Sequence, residues 1–150
     1  MEGYGEISTI TELEAFIARV GGFHDGVIKE MHWVNHDFIR PDLSMMSSRG
    51  ACARILIQRQ WENPSAVELR LFEILRITLD TRDFVFDSNG TSEPNGFLVL
   101  QIEDSEFVFR KMRYRFVSDW LGNDLRFGSD LPWEPPALGD YFRWDRTPKE

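Results

Sequence analysis

The chain predicts an α+β fold: an N-terminal helix packed on a curved, mostly antiparallel sheet of about six or seven strands, closed by an irregular aromatic- and proline-rich C-terminal strap. Three observations carry this expectation. Apolar residues recur with helical periodicity near the N-terminus. From there to about residue 117 they alternate with polar residues or run in short blocks between turn residues. Aromatic side chains are abundant, with 12 Phe, 5 Trp and 3 Tyr, a composition suited to strands and to large buried contacts.

The helix is expected over Thr9 to Val20. Leu13, Phe16, Ile17 and Val20 stand at i, i+3, i+4 and i+7 and make one apolar stripe. Thr9 with Glu12, or Thr11 with Glu14, has capping-box spacing, and Gly21-Gly22 supplies the left-handed residue that ends many helices. A strand follows over Gly26 to Val34, stopped by Asn35-His36-Asp37. Ala51 to Trp61 is a strand with Ala51, Ala53, Ile55 and Ile57 on one face, and Glu62 to Ser65 is a turn. Val67 to Leu79 begins as a strand, but its apolar parity changes after Leu71, so the stretch needs a bulge or is two strands, with a helix as the competing reading. Phe84 to Phe86 is a short strand and Asp87 to Gly96 a long loop of turn residues. Phe97 to Ile102 and Glu106 to Val117 form a hairpin around Glu103-Asp104-Ser105, and a short helix is expected from Ser118 or Asp119 to Gly122.

Residues 127–150 change character. Four prolines (Pro132, Pro135, Pro136, Pro148) oppose regular structure, while Phe127, Trp133, Tyr141, Phe142 and Trp144 resist exposure to water. The segment reads as a strap on its own domain, with docking on another chain as the alternative. At 150 residues, 42% hydrophobic and 28% charged, the chain fits one α+β domain spanning 1–150.

The net charge of -8 repels a phosphate backbone, which argues against general nucleic-acid binding. Between Asp80 and Glu106 seven acids (Asp80, Asp83, Asp87, Glu93, Glu103, Asp104, Glu106) face one base, Arg82, an excess that reads as a solvated edge or an attractor for a basic partner. No basic-then-apolar leader and no run of some eighteen apolar residues is present, so membrane insertion lacks support. One cysteine, Cys52, makes no intramolecular disulfide, and the expected location is cytoplasmic.

All three histidines, His24, His32 and His36, fall within thirteen residues. On a helix, His32 and His36 would share a face and suit a metal. On an extended chain rising about 3.3 Å per residue, His24 and His32 are roughly 26 Å apart, too far for one ion with bonds of ~2 Å. The extended reading is preferred, and no metal or cofactor is expected. His24 and Asp25 are a structural pair in this reading: Phe23 anchors the chain, His24 is neutral and hydrogen-bonded, and Asp25-Gly26 turns into the next strand. The alternative gathers His24, Asp25, Arg54 and Trp33 into a ligand pocket on a concave sheet. Cys52 has no histidine beside it in sequence, no Gly-x-Ser-x-Gly or phosphate-cradling glycine loop occurs, and the DSNGTSE loop lacks EF-hand order. In the basic run Arg110 to Arg115, Lys111, Arg113 and Arg115 share one strand face. Cross-strand pairing with the acids of Asp80 to Glu106 is the expected use, with phosphate or RNA binding as the alternative.

The stretch Phe23-His24-Asp25-Gly26-Val27-Ile28 resembles a set of small, largely uncharacterised bacterial proteins that carry a Phe/Leu-His-Asp-x-x-Ile/Val signature before a β-meander. Some of them look like immunity proteins of toxin systems, and VELRLFEILRI is similar to a later strand of that set. The resemblance covers about the first half of the chain. It implies a non-enzymatic, soluble α+β protein that binds a protein partner, a basic toxin domain in the immunity-type members, and it assigns no catalytic role to His24 or Asp25. A homodimer through a strand edge or the tail is compatible with either reading.

Overall fold

The computed structural model describes residues 4–47, 50–60, 64–80, 85 and 87–118. In chain order the elements are β1 (Gly5–Ile7), α1 (Ile10–Arg19), a 3-10 turn (Gly21–Phe23), β2 (Val27–Asn35), β3 (Phe38–Ile39), β4 (Met45–Met46), β5 (Ala51–Gln58), β6 (Ala66–Phe72), β7 (Arg76–Thr78), β8 (Ser88–Ser92), β9 (Leu98–Ile102), β10 (Ser105–Phe109) and β11 (Lys111–Val117). The class is α+β and every described strand pair is antiparallel. The expected single sheet is replaced by three: five strands in the order β1-β11-β6-β5-β2, four in the order β7-β10-β9-β8, and the isolated pair β3-β4.

The division into two larger sheets has a local cause. The ribbon of residues 66–78 against 105–117 is continuous in sequence but bends once on each chain. On one chain the bend is Glu73, at φ 52, and on the other it is Arg110, whose N–H donates to the Phe72 carbonyl. Below the bend β6 pairs with β11, and above it β7 pairs with β10. The parity change after Leu71 is therefore a passage from one sheet to the other. The polar segment Ser88–Ser92, expected as loop, is a strand because it closes the second sheet against β9 and lies under the helix.

The core lies between the two sheets. Ile55, Ile57, Val67, Leu69, Leu71 and Met112 come from the first, Leu98, Leu100, Ile102, Phe107 and Phe109 from the second. Helix α1 joins both. Thr9 caps it, accepting from the Glu12 N–H at 3.2 Å, while the Glu12 carboxylate takes the Thr9 hydroxyl at 2.9 Å and the Ser8 N–H at 3.3 Å. The Leu13, Phe16, Ile17 and Val20 stripe is buried. Phe16 stacks on Tyr114 of β11, with ring centroids 4.5 Å apart, while Leu13 and Ile17 lie over Gly90 of β8. The helix ends where Gly21 and Gly22 take φ 62 and 64. The expected short helix beyond Ser118 and the strap over 127–150 lie outside the described residues, as does most of the short strand expected at Phe84 to Phe86. Among the described residues no helix is long and apolar enough to cross a membrane.

Candidate functional site

The histidine segment is extended only over β2, Val27–Asn35, which carries one of the three histidines. His32 lies in β2 opposite Arg54, while His24 precedes that strand and His36 follows it. Among the described residues no group of three or more His, Cys, Asp or Glu side chains is placed to hold a metal ion.

His24 and Asp25 do approach, Nε2 to Oδ2 at 3.4 Å, because the chain turns between them rather than continuing as a strand. Phe23 and Asp25 have φ 56 and 59. The Asp25 N–H donates to the Val85 carbonyl and the Val85 N–H to the Gly26 carbonyl, both at 2.8 Å. The side chains of His24 and Asp25 are 60% and 51% exposed, and backbone hydrogen bonds to Val85 hold the turn. His24→Ala should therefore move stability by no more than about 0.5 kcal/mol. Asp25→Val, a β-branched residue forced to positive φ, should cost about 1–3 kcal/mol, and Asp25→Gly should be tolerated. Thermal melts of the three variants check the order.

The four residues expected around a pocket do not converge. Trp33 pairs with Ala53 and His32 with Arg54, so Trp33 and Arg54 point to opposite faces of the first sheet. Trp33 also stands eight residues beyond Asp25, toward the far end of β2.

Arg54 belongs to a different arrangement, on the face turned away from the core. Register places Glu30, Leu56, Glu68 and Arg115 in one row across β2, β5, β6 and β11, and His32, Arg54, Arg70, Arg113 and Glu6 in the next. Glu68 is fully buried on this face. Its Oε1 accepts from Arg54 Nη2 at 3.0 Å, and its Oε2 accepts from Arg115 Nη2 at 2.8 Å and from the Tyr4 hydroxyl at 2.7 Å. The guanidiniums of Arg70 and Arg115 lie over the Tyr4 ring, 4.8 and 5.0 Å from its centroid. Burial pushes the Glu68 pKa up, but the Tyr4 hydrogen bond and then Arg54 and Arg115 outweigh it and hold the carboxyl below its ordinary value. Burial, followed by the Glu68 contact, raises the Tyr4 phenol.

The basic run thus finds acids other than those expected. Arg113 and Lys111 meet Glu6 at 2.8 and 3.5 Å, and Arg115 meets Glu68. The acidic stretch instead binds Arg76, through Glu93 at 2.8 Å and Glu106 at 3.4 Å. In sequence the signal was present as like-facing charges two residues apart, Glu68 with Arg70 and Arg113 with Arg115, but only register joins them to each other and to Arg54.

Two further features were missed. Cys52 has a histidine after all: His36 Nε2 lies 3.1 Å from its sulfur, across the end of the β2–β5 pair. Nucleophile and base are within reach, yet among the described residues no third group orients the ring, as an activated thiol requires. The other feature is the hairpin β3–β4. Phe38, Ile39, Leu43 and Met45 are 49%, 68%, 82% and 76% exposed. Its tip is tied by Leu43 N–H to the Arg40 carbonyl and Arg40 N–H to the Ser44 carbonyl, while Asp42 accepts both the Ser44 N–H and hydroxyl. Leu43 sits at φ 69, a region leucine rarely adopts.

Compared with known proteins, the chain matches no family model, no curated protein and no solved structure.

Proposed function

We propose that the protein is a non-catalytic interaction module that docks a protein partner through the β3–β4 hairpin. The observation that carries this is Leu43: a leucine in the left-handed region, four-fifths exposed, at the tip of a turn that Asp42 and Ser44 hold in place. A polar or glycine residue would suit that position better on every local criterion, and local rules are broken where function requires it. Four large apolar side chains stand exposed within eight residues: Ile39 and Met45 are paired and share one face of the hairpin, Phe38 is on the other face opposite Met46, and Leu43 is at the tip, a density of exposed apolar surface that suits a contact. The overall charge of -8 steers encounter toward a basic partner. The resemblance of Phe23 to Ile28 to immunity-type proteins fits the same role, the partner then being a basic toxin domain in the cytoplasm.

The test is capture from the native host. The wild-type chain should retain one dominant partner, and Leu43→Asp with Met45→Asp should lose it while the melting temperature stays within about 2 °C, since both positions are exposed. Retention unaffected by the double substitution, or a bound small molecule with no protein, contradicts the proposal. The second reading, a ligand-binding protein or enzyme at His24 and Asp25, rests on their 3.4 Å approach. It requires that His24→Ala abolish ligand binding, an effect the hairpin reading excludes.

A further inference from the structure

The arginine face has an imbalance that the described residues do not remove. Arg54, Arg70 and Arg113 are directly opposite one another on three adjacent strands. Like charges in that relation destabilise a sheet. Arg54 is compensated by Glu68 and Arg113 by Glu6. Arg70, the middle one, forms no ion pair with a carboxylate among the described residues: its contact is the face of the Tyr4 ring, and its Nε, like that of the ion-paired Arg115, is buried without a hydrogen-bond partner. Glu68 cannot serve it as well, because both of that carboxylate's oxygens are already engaged by Arg54, Arg115 and Tyr4. The neighbouring arginine side chains keep access to water, 41% for Arg54 and 44% for Arg113, so an incoming group can reach the row.

We propose that Arg70, flanked by Arg54 and Arg113, is a receptor for a phosphate group, either inorganic phosphate or a small phosphomonoester. A planar guanidinium fork matches two oxygens of a tetrahedral oxyanion, and a dianion answers a row of three cations better than a carboxylate does. The Tyr4 ring, itself held by its hydroxyl on Glu68, packs against the Arg70 guanidinium, so little side-chain freedom is lost on binding. This site is on the outer face of the first sheet and does not depend on the hairpin reading.

The experiment is a thermal melt of the intact chain in about 20 mM inorganic phosphate or glycerol phosphate against sodium chloride of equal ionic strength, with roughly 3–5 °C of stabilisation expected from phosphate. Arg70→Gln should melt no lower than wild type in chloride, because a like-charge contact is removed, and should lose the phosphate response. Arg70→Lys, which keeps the charge but not the fork, should keep less than half of it. A response to glycerol phosphate well above that to inorganic phosphate identifies a phosphomonoester site, and equal responses identify inorganic phosphate as sufficient. An equal shift in chloride, an equal shift in Arg70→Gln, or a larger shift with succinate than with phosphate overturns the proposal. Phosphorus-31 line broadening by wild type and by Arg113→Gln supplies a readout independent of stability, and the variant should broaden the line less.

Discussion

Glu68→Gln is expected to lower stability by about 3–5 kcal/mol, because it removes the buried charge that Arg54 and Arg115, both partly exposed, share as their counter-ion. At roughly 2–4 °C per kcal/mol for a chain of this size, the melting temperature should fall by about 10 °C. The amide fills the same space, so the loss isolates charge and hydrogen bonding from packing. Glutamine also turns one carboxylate oxygen into a donor that faces the Tyr4 hydroxyl, Arg54 or Arg115, all of them donors in this contact. The effect is pH-dependent with a definite sign. The folded carboxyl titrates below its unfolded value. Its contribution is thus fully present above the unfolded carboxylate range and is lost as pH falls through the folded pKa. Wild type should lose stability on acidification more steeply than Glu68→Gln, and the two should converge at low pH. Urea unfolding across the acid range measures both slopes, and parallel slopes would show that Glu68 is not the group titrating.

Leu13→Ala should cost about 2–5 kcal/mol, since the side chain is fully buried where α1 meets the second sheet. Its partner is the absence of a side chain at Gly90. A Cβ there would lie 2.8 Å from Leu13 Cδ2, 2.9 Å from Leu13 Cγ and 3.1 Å from Ile17 Cδ1. Gly90→Ala alone should therefore cost about 1–3 kcal/mol by overpacking. In the double variant the new methyl enters space that Leu13 has left, so the combined loss should be smaller than the two losses added by about 1 kcal/mol or more. Strict additivity would mean that the helix does not rest on β8 as described.

These two sites differ in how far they could be read in advance. The helix was fully legible, because Thr9, the Leu13 to Val20 stripe and Gly21-Gly22 are local signals that tertiary structure did not override. The strands β2 and β5 were legible from their apolar pattern, and β9 as a short apolar block between turn residues. Ser88 to Ser92 was not, since SNGTS has turn composition and becomes a strand only because β9 offers a partner and Gly90 gives the helix room. The corner was visible as a parity change but not as a change of sheet: Glu73 reaches positive φ without the glycine that would announce it. The hairpin was missed because its strands are two residues long, too short for any period. The Glu68 cluster joins Tyr4, Arg54 and Arg115, residues up to 111 positions apart in a sequence that shows parity but not register.

If binding resides in the hairpin, amide hydrogen exchange of the partner-bound chain against the free chain should show slowing concentrated over Phe38 to Met46, a segment otherwise held by few backbone bonds. Unchanged exchange there, with protection gathered at His24 to Gly26 instead, would contradict the account and transfer the function to the turn.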